Sequence, residues 1–348
     1  MQPTVLHILP HRGGGAEGYL DALATLPITQ RRMALSSSRS PLGAGPSIVA
    51  RWPGVAAAAR HADLVHVHGD VAALLSLPIM HARPAVLTTH GLHFLRRARG
   101  ARLTLARRGL RAAVATTRRT ICTSEAEREE LCAFLPGALR ARLVVVPNTA
   151  PLSPGSSDRA RARADLGLGP DAVVALFIGQ LEERKDPLTA IAAATAAVAA
   201  GAPLVLLVAG AGPLADRVRA LAGPAVRVLG HRDDPQTLFA ASDLLVMPSL
   251  REGQSIAVLE AMRDGLAVVV SDGAGNPALI ADAGVVVPAG DVQALAAVLV
   301  RLAADSGERI ELGAAARRRY EEHYSLERFQ ARMAELYGEL LGTRVADW

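Results

Sequence analysis

The sequence predicts an α/β protein with two doubly wound domains, and three observations support this fold class. Short apolar runs alternate with longer segments of helical character in both halves of the chain. The composition is 50% hydrophobic but only 3% aromatic, which favours Ala, Val and Leu side chains packed on parallel sheets. The length of 348 residues suggests two domains.

Five apolar runs of the first half are predicted strands. They are TVLHIL, LVHVHG, AVLTTHG, TICTS and LVVVPN, and each run ends at Gly, Ser, Asn or a polar cluster. This pattern is typical of parallel strands whose carboxyl ends open onto loops. The first run lacks a preceding charged region and stops at Pro10, so we predict a strand there rather than a signal peptide. We assign residues 1–150 to an N-terminal Rossmann-like domain.

The second half repeats this pattern after residues 149–160, a segment rich in Pro, Ser and Gly that is the predicted linker. Its apolar runs are VVALFIGQ, PLVLLVAGAG, VRVLGH, DLLVMPS, AVVVSD and GVVVPAG. We assign residues 151–324 to a second Rossmann-like domain and residues 325–348 to an amphipathic helix that crosses back to the first. Two such domains place both sets of strand ends around one cleft, where a nucleotide-type ligand is expected.

Two further features bear on location in the cell. Between Asp186 and Asp216 no residue is charged, but residues 201–203 interrupt this stretch, so a helix, a turn and a buried strand are predicted rather than a membrane span. Cys122 and Cys132 provide neither a disulfide framework nor zinc-ligand spacing. We therefore expect reduced cysteines and a cytoplasmic protein.

A phosphate site is predicted where the strand DLLVMPS is followed by the loop LREGQ and the helical segment SIAVLEAM. Ser255 is a favourable N-cap for this helix. Backbone N–H groups and the helix dipole favour phosphate at such an end. The N–H groups expected there belong to Gly253, Gln254, Ser255 and Ile256.

Two glutamates and the only lysine of the chain complete this predicted site. Glu252 precedes the helix and Glu260 follows eight positions later, so one carboxylate can face the sugar side of a bound diphosphate and the other its nucleoside side. Lys185 follows VVALFIG after one short loop, where its compact charge can neutralise a diphosphate. The plain alternative for each residue is a solvated surface charge, the common state of isolated glutamates and lysines.

Taken together, these motifs resemble retaining glycosyltransferases of the GT-B fold, and specifically family 4 of the glycosyltransferases (glycosyl transferases group 1). In the second domain the resemblance rests on GQLEERK, AGAGPL, VLGHRDD, SDLLVMPSLREGQSIAVLEAMRDGLAVVVSDGAGNP and GVVVPAGDVQALA, which cover almost the whole domain. In the first domain it rests on the Gly-rich loop, VHVHG, TTHG, TSEAEREEL and VVPN. The resemblance implies transfer of a sugar, with retention, from a nucleotide-diphosphate sugar to an acceptor hydroxyl.

The resemblance also implies that residues 1–150 form the acceptor domain and residues 151–324 the nucleotide-sugar donor domain, and it implies roles for residues of the second domain. Glu252 lies near the hydroxyls of the transferred sugar, and Glu260 holds the ribose hydroxyls. Lys185 and the helix N-terminus stabilise the leaving phosphate, which itself helps to deprotonate the acceptor in a front-face transfer. No side chain stands out as an enzymatic nucleophile.

Two residues depart from the family pattern. The family usually has arginine directly after the glycine where this chain has Gln180, and glutamate where this chain has Ala278. Gln180 can donate hydrogen bonds to phosphate without a charge, and we expect Arg184 to compensate in part. Small residues between Gly273 and Asn276 still offer backbone donors near the donor sugar.

The resemblance assigns three adjacent glycines to a loop that closes over the donor diphosphate: Gly13, Gly14 and Gly15. A glycine triplet alone more often marks a turn. His90 matches a family histidine near the reacting sugar, and His68 and His93 are acceptor-side candidates, although a strand-end histidine is more often a structural hydrogen-bonding group. The sequence has no Asp-x-Asp motif, so we predict no metal site and no cofactor beyond the nucleotide-sugar co-substrate.

The first domain is strongly basic. Residues 1–150 contain 19 arginines and 8 acidic residues, a net charge of +11, and the remainder has a net charge of −6. Nine arginines lie between residues 93 and 120 without an acid, interleaved with apolar residues. The plain alternative is a solvated helix face. Aromatic residues for stacking on nucleic acid are almost absent, so we predict contact with an anionic membrane instead. The candidate contacts are Arg96, Arg97, Arg99 and Arg102.

We therefore predict a metal-independent, retaining, hexosyltransferase-like enzyme of glycan or glycoconjugate biosynthesis. Its partners are a nucleotide-sugar donor and a sugar or lipid-linked acceptor, and we expect a peripheral position on the inner face of the membrane, with no nucleic acid bound. An alternative suggested by Gln180 and Ala278 is a GT-B partner subunit that binds sugar nucleotides without turnover. A third hypothesis is a basic membrane-tethered scaffold that binds no nucleotide.

Overall fold

Two parallel sheets form the framework of the molecule. The computed structural model describes residues 2–11, 15–37, 45–151, 158–169, 171–273 and 275–342. The chain divides into two compact units: unit 1 is Met1–Thr149 with Leu326–Trp348, and unit 2 is Ala150–Ser325. Of the candidate residues, Gly13 and Gly14 lie outside the described residues.

In unit 1 the described residues form six strands, and eight helices alternate with them or follow them before residue 150. The strands are β1 (Thr4–His11), β2 (Thr29–Ser36), β3 (Leu64–His68), β4 (Ala85–Thr88), β5 (Arg119–Cys122) and β6 (Leu143–Val145). The helices are α1 (Gly15–Ala22), α2 (Gly45–Ala59), α3 (Asp70–Leu75), α4 (Leu77–Ala82), α5 (His93–Arg97), α6 (Gly100–Thr116), α7 (Glu125–Cys132) and α8 (Gly137–Arg140). All strand pairs are parallel, in the order β2-β1-β3-β4-β5-β6.

Unit 2 repeats the arrangement, with six strands and eight helices among its described residues. The strands are β7 (Val173–Ile178), β8 (Leu204–Ala209), β9 (Val226–Gly230), β10 (Leu244–Met247), β11 (Ala267–Ser271) and β12 (Val285–Val287). The helices are α9 (Arg159–Asp165), α10 (Pro187–Ala199), α11 (Ala215–Leu221), α12 (Pro235–Ala241), α13 (Ile256–Arg263), α14 (Asn276–Ile280), α15 (Val292–Ala304) and α16 (Ser306–His323). The parallel order is β12-β11-β10-β7-β8-β9.

The C-terminal helix α17 (Leu326–Leu341) belongs to unit 1. Its apolar stripe, with Phe329, Met333 and Tyr337, packs in one buried cluster with Leu20 of α1 and with Leu23, which directly follows that helix. A second cluster on the same sheet is formed with α2 and α6. The sheet of unit 1 is therefore apolar on both faces, as parallel sheets require.

The predicted α/β fold class and its eleven predicted strands are confirmed, and one strand was missed. That strand, β2, has the sequence TQRRMALS and pairs only with β1 at the edge of the sheet. Its first half is largely exposed and carries Arg31 and Arg32, so the apolar run that marks a buried strand is absent. Only its last three residues are buried.

The uncharged stretch folds as predicted into helix α10, a turn and strand β8. Asp186 caps α10, and its carboxylate accepts a hydrogen bond from Thr189 N at 3.3 Å. Among the helices of the described residues, none combines the length and the hydropathy needed to cross a membrane.

The strand order of each sheet reverses at one point. In unit 2 the chain starts in the middle with β7, builds outward to β9, and then returns to the other side of β7 with β10. In unit 1 the reversal lies between β1 and β3. Loops diverge at such a reversal and leave a crevice at the carboxyl ends of the strands, where ligands of doubly wound sheets bind.

Helix α16 lies close to the backbone of the turn before β11, and this contact gives a stability prediction. A Cβ at Gly313 would lie 2.1 Å from the carbonyl oxygen of Gly265. Gly→Ala in an open helix stabilises by about 0.5–1 kcal/mol. For Gly313→Ala we expect the opposite effect, because the added Cβ forces the backbone of α16 or of the turn to move. The free energy of unfolding, measured with urea, should fall by about 1–3 kcal/mol.

The matched control is Gly137→Ala, where an added Cβ would meet no atom within 4 Å. We expect a change below about 0.5 kcal/mol there. Unchanged or increased stability in Gly313→Ala would contradict the close approach of α16 to the turn.

Candidate functional site

Loops that follow four strands of unit 2 meet at the carboxyl edge of its sheet. Leu250 N, after β10, donates to the carbonyl of Arg184, after β7, at 2.9 Å. Leu181 N, also after β7, donates to Ala211 O, after β8, at 3.0 Å. Gly275 N, after β11, donates to the carbonyl of Glu252 at 3.1 Å. The loops after β7 and β10 flank the reversal of strand order.

A cluster of charged side chains lies in these loops. Glu252 is 7% exposed, and its carboxylate accepts a hydrogen bond from Arg184 Nη1 at 2.9 Å and forms an ion pair with Lys185 Nζ. Arg184 also reaches Glu182, with Nη2 2.7 Å from Oε1. The structure therefore brings Glu252 together with the adjacent residues Arg184 and Lys185, which lie far from it in the sequence. Buried charges of this kind are tolerated only when each has a partner.

Arg184, which we expected to compensate for the missing arginine at position 180, is already engaged by carboxylates. Gln180 follows Gly179 and is exposed. Arg184 already pairs with two carboxylates, Glu182 and Glu252, so the four charges of the cluster cancel. An incoming phosphate must therefore compete with carboxylates for Arg184. The other departure, Ala278, is exposed on α14.

The N-terminus of α13 adds backbone donors to this edge. Ser255 occupies the predicted N-cap position with extended backbone, but its hydroxyl makes no capping hydrogen bond. The predicted N-cap position is confirmed, without the side-chain hydrogen bond that usually accompanies a serine cap. Within the described residues, Ser255 Oγ, Ser249 Oγ and both polar atoms of the Asn276 side chain are buried without a partner. Unpaired buried polar groups are rare and require an explanation, and a polar ligand is one.

Close packing holds the loop after β11 against the loop before α13. A Cβ at Gly275 would lie 1.7 Å from the carbonyl oxygen of Gly253, so no other residue fits without movement of the backbone. This contact places the start of α14 beside the predicted phosphate site. Gly253 itself is buried, and Gln254 and Ile256 are half-buried.

Glu260 lies on α13, beyond its first turn. Burial raises the pKa of its carboxyl to about 7, with opposing effects from Arg263, which lowers it, and Asp264, which raises it. A carboxyl whose pKa lies near neutrality is common at binding sites, although it is not proof of one. The group can therefore exchange a proton when a ligand donates hydrogen bonds to it.

Four histidines cluster in unit 1: three are linked by hydrogen bonds, and the ring of His66 stacks on that of His68. His7, His66 and His68 are 0% exposed, and His90 is partly exposed. His68 joins its neighbours through both ring nitrogens, 3.0 Å from His7 and 3.0 Å from His90. His66 bonds Tyr337 Oη at 2.6 Å. His68 could contact an acceptor directly only if one of its hydrogen bonds, to His7 or to His90, were broken.

A left-handed turn presents His90 at the end of β4. The φ angles of His90 and Leu92 are 48° and 50°, a region that costs a non-glycine residue about 1–2 kcal/mol. Asp70 holds the turn, because its carboxylate accepts hydrogen bonds from Phe94 N at 2.7 Å and Leu95 N at 3.0 Å. Burial raises the pKa of Asp70, while these N–H donors lower it.

Sequence reasoning missed three residues that support this edge: His7, Asp70 and Glu127. Glu127 is 0% exposed and accepts hydrogen bonds from Thr89 Oγ1 at 2.6 Å and Thr123 N at 2.8 Å. The pattern Ser-x-x-Glu in TSEAE is a capping-box signal that could have identified it. No comparable local pattern marks His7, which looks like any polar residue within an apolar strand.

The remaining candidates lie elsewhere in unit 1. Gly15 is the first residue of α1, and His93 begins α5 and is exposed. Arg96 pairs with Glu130 at 2.8 Å. Exposed side chains follow on α5, α6 and the residues between them: Phe94, Arg97, Arg99, Arg102 and Leu105. Phe94 is 40% exposed and Leu105 is 72% exposed, so apolar groups accompany these arginines at the surface.

Comparison with protein families gives two matches. The model described as Glycosyl transferases group 1 matches residues 172–305, and the model described as Glycosyltransferase Family 4 matches residues 11–153. These ranges contain the ion cluster of unit 2 and most of the histidine cluster of unit 1.

Several curated relatives are glycosyltransferases. D-inositol 3-phosphate glycosyltransferase of Kineococcus radiotolerans is 30% identical, over 75% of this chain and 68% of the relative. The enzyme of the same name from Salinispora tropica is 29% identical, over 84% of this chain and 67% of the relative. An Escherichia coli UDP-Gal:alpha-D-GlcNAc-diphosphoundecaprenol alpha-1,3-galactosyltransferase is 28% identical, over 70% and 67%. The chain thus spans about two thirds of the length of these three relatives.

Solved structures share the fold. Sucrose-phosphate synthase of Thermosynechococcus elongatus superposes with a TM-score of 0.79 at 20% identity, covering 98% of this chain and 100% of that one. HepE of Anabaena in complex with UDP-glucose gives a TM-score of 0.76 at 21% identity, covering 96% and 99%. At this level of identity the likeness shows the fold alone.

Proposed function

This chain belongs to family 4 of the glycosyltransferases and has the GT-B fold, and from that premise we propose that it is a retaining, metal-independent enzyme that uses a nucleotide-diphosphate sugar. The observation that carries this proposal is the convergence of Arg184, Lys185 and the N-terminus of α13 at the reversal of strand order in unit 2. Positive charge and backbone donors at this place suit a diphosphate.

The proposed chemistry places the leaving group at this cluster. The bond between the anomeric carbon and the phosphate oxygen breaks, the acceptor oxygen bonds to the same face of the sugar, and its proton passes to the departing phosphate. Lys185 Nζ moves from the Glu252 carboxylate to the phosphate and stabilises its developing charge. The Glu252 oxygen that Lys185 leaves can then accept a hydrogen bond from a sugar hydroxyl.

The donor and acceptor classes follow from the relatives and from the surface of unit 1. HepE binds UDP-glucose, and the Escherichia coli relative is named for UDP-Gal and a diphosphoundecaprenol-linked acceptor. We therefore propose a UDP-sugar as donor and a lipid-linked acceptor bound by unit 1. The exposed arginines of α5 and α6, with Phe94 and Leu105, support a cytoplasmic protein in peripheral contact with an anionic membrane.

The central test is turnover. Thermal-shift screening with UDP, GDP, ADP and their sugars identifies the nucleotide, because a ligand stabilises the state that binds it. We then expect release of nucleoside diphosphate when the sugar nucleotide and a membrane lipid extract are both present. Lys185→Ala should reduce this rate roughly 10²- to 10³-fold through loss of leaving-group stabilisation. The rate should survive EDTA, and the product should keep the anomeric configuration of the donor.

Two variants of equal size control for general damage at the site. Glu182→Gln frees Arg184 from one carboxylate, so we expect nucleotide affinity to rise roughly three- to ten-fold. Glu183→Gln, an exposed neighbour, should leave affinity unchanged. If the protein binds the nucleotide but releases no nucleoside diphosphate with any acceptor tested, the non-catalytic partner subunit is favoured. Unchanged turnover in Lys185→Ala would reject this site.

Donor affinity should depend on pH through Glu260. Its pKa of about 7 in the free protein means that ribose hydroxyls bind a carboxylate only after a proton leaves. Hydrogen bonds from the ligand favour the ionised form, so the affinity for UDP-glucose should rise as pH increases through 7 and level off above it. Calorimetry between pH 5.5 and 8.5, which is roughly the titration range of such a group, measures this rise.

Two variants distinguish Glu260 from other titrating groups. Glu260→Gln should bind UDP-glucose more weakly than the wild type at pH 8, and its affinity should no longer rise with pH. Asp264→Asn removes a negative charge that raises the pKa of Glu260, so the rise should persist with its midpoint at lower pH. A pH dependence that survives in Glu260→Gln would contradict this role.

Membrane contact is tested with vesicles. Replacement of Arg97, Arg99 and Arg102 by Gln should weaken binding to phosphatidylglycerol vesicles roughly 100-fold, since each Arg near an anionic surface contributes about 1 kcal/mol. The matched control replaces three exposed arginines of unit 2, Arg217, Arg301 and Arg318, with the same loss of charge. Equal losses in both variants would show that only net charge matters.

A further inference from the structure

The histidines of unit 1 form a chain that leads from the core to a partly exposed ring. His7 Nδ1 lies 3.0 Å from His68 Nε2, and His68 Nδ1 lies 3.0 Å from His90 Nε2. His7 and His68 are 0% exposed. The far nitrogen of His7, Nε2, is buried without a hydrogen-bond partner among the described residues. The row of hydrogen-bonded histidines therefore ends in the core at His7, its closed end, and at a partly exposed residue, His90, its open end.

Each ring of the chain is neutral at physiological pH. Burial, helped by the positive charge of Arg32, lowers the pKa of His7 to about 3. Burial and the neighbouring His93 lower that of His90 to about 3, and burial holds that of His68 well below its usual range. A neutral imidazole carries one N–H, on one nitrogen or the other. Two hydrogen bonds among three such rings leave only two possible proton orders.

The two orders differ in what they place at the ends. If His68 donates through Nδ1, then His90 accepts at Nε2 and carries its proton on Nδ1, and His7 donates through Nδ1 and leaves Nε2 as a bare acceptor. If His68 donates through Nε2, then His90 carries its proton on Nε2, and His7 has an N–H buried without a partner. Orphaned buried N–H groups are rarer than under-satisfied acceptors.

Arg32 is opposite His7 in the register of β1 and β2, and its guanidinium pairs with Asp21 at 2.7 Å. The order is therefore decided at the closed end, where a bare acceptor is tolerated better than an unpaired N–H. This places the proton of His7 on Nδ1 and leaves its Nε2 bare.

We propose that His7 and His68 are positioning residues that hold His90 in the Nδ1–H tautomer, so that its partly exposed ring offers a hydrogen-bond donor to a substrate oxygen. His68 fixes the tautomer by occupying Nε2 of His90, and His7 fixes His68 in turn. The tautomer does not depend on the proposed function. Only the identity of the oxygen, a sugar hydroxyl or a phosphate, rests on it.

A metal site is the competing explanation, because His7, His66 and His68 each have a nitrogen within 4.8 Å of the others. The rings of His66 and His68 are stacked, with centroids 4.1 Å apart and planes inclined by 26°. Lone pairs lie in the ring planes, so stacked rings do not direct them at one ion. Both nitrogens of His66 are also taken, by Tyr337 at 2.6 Å and Thr88 at 2.7 Å.

The test is the ¹⁵N spectrum of the full chain labelled at histidine, in which long-range correlations distinguish the two tautomers. We expect Nδ1–H at His7, His68 and His90, with a preference of at least roughly ten-fold at His90. Nε2–H at His90, or averaged signals from both forms, would overturn the proposal. A shift of the His7, His66 and His68 signals with one equivalent of Zn²⁺ would assign the cluster to a metal instead.

A pair of nearly isosteric variants tests the direction of the chain. His7→Asn retains an amide donor near the position of Nδ1, so His90 should keep Nδ1–H. His7→Asp presents only an acceptor, opposite Arg32, so the order should reverse and His90 should become Nε2–H. Tyr337→Phe is the control, because Tyr337 bonds His66 alone among these rings and should leave His90 unchanged. If His7→Asp does not fold, the wild-type spectrum still decides.

Discussion

The carboxylate of Glu252, shared by Arg184 and Lys185, ties together the two loops at which the sheet of unit 2 reverses its strand order. One loop follows β7 and the other follows β10, and a ligand of this fold must bind between them. Because Glu252 and Lys185 are nearly buried, neither charge can remain without the other. The ion cluster therefore fixes the position of the loop that begins α13, and of the loop after β11 that packs on it.

An ammonium rather than a guanidinium at position 185 suits the proposed function. The proposed diphosphate would replace one anion by another on a cation that is already desolvated and oriented, so little reorganisation would be needed. A point charge on a flexible stem can move between a carboxylate and a phosphate, whereas Arg184 is held by two carboxylates at once. The same arrangement weakens the site electrostatically, because the two glutamates cancel the charges of Arg184 and Lys185 and Gln180 adds no third cation.

The sequence predicts the parts of this molecule that depend on local pattern and fails where distant residues meet. Eleven strands follow from apolar runs, but β2 does not, because an edge strand needs only one buried end. The helix at Ser255 follows from spacing, whereas its unused hydroxyl does not, because capping depends on the approach of neighbouring loops. Lys185 and Glu252 could each be predicted as site residues from the sequence. Their ion pair could not, because it joins loops that follow different strands and no periodic pattern in the sequence indicates such a contact.

The two units place different chemistry at the same edge of similar sheets, and burial is the reason. In unit 1 the strand ends lie beneath α1 and α17, where Tyr19 packs edge-to-face on His90 with ring centroids 4.9 Å apart. A charged imidazole there would lose its hydration and gain no counter-ion in exchange, so the histidines remain neutral. What the cluster can determine is the direction of its hydrogen bonds. In unit 2 the loops supply opposite charges in pairs, so ions persist. Unit 1 is thus built to orient a polar group, and unit 2 is built to hold charge.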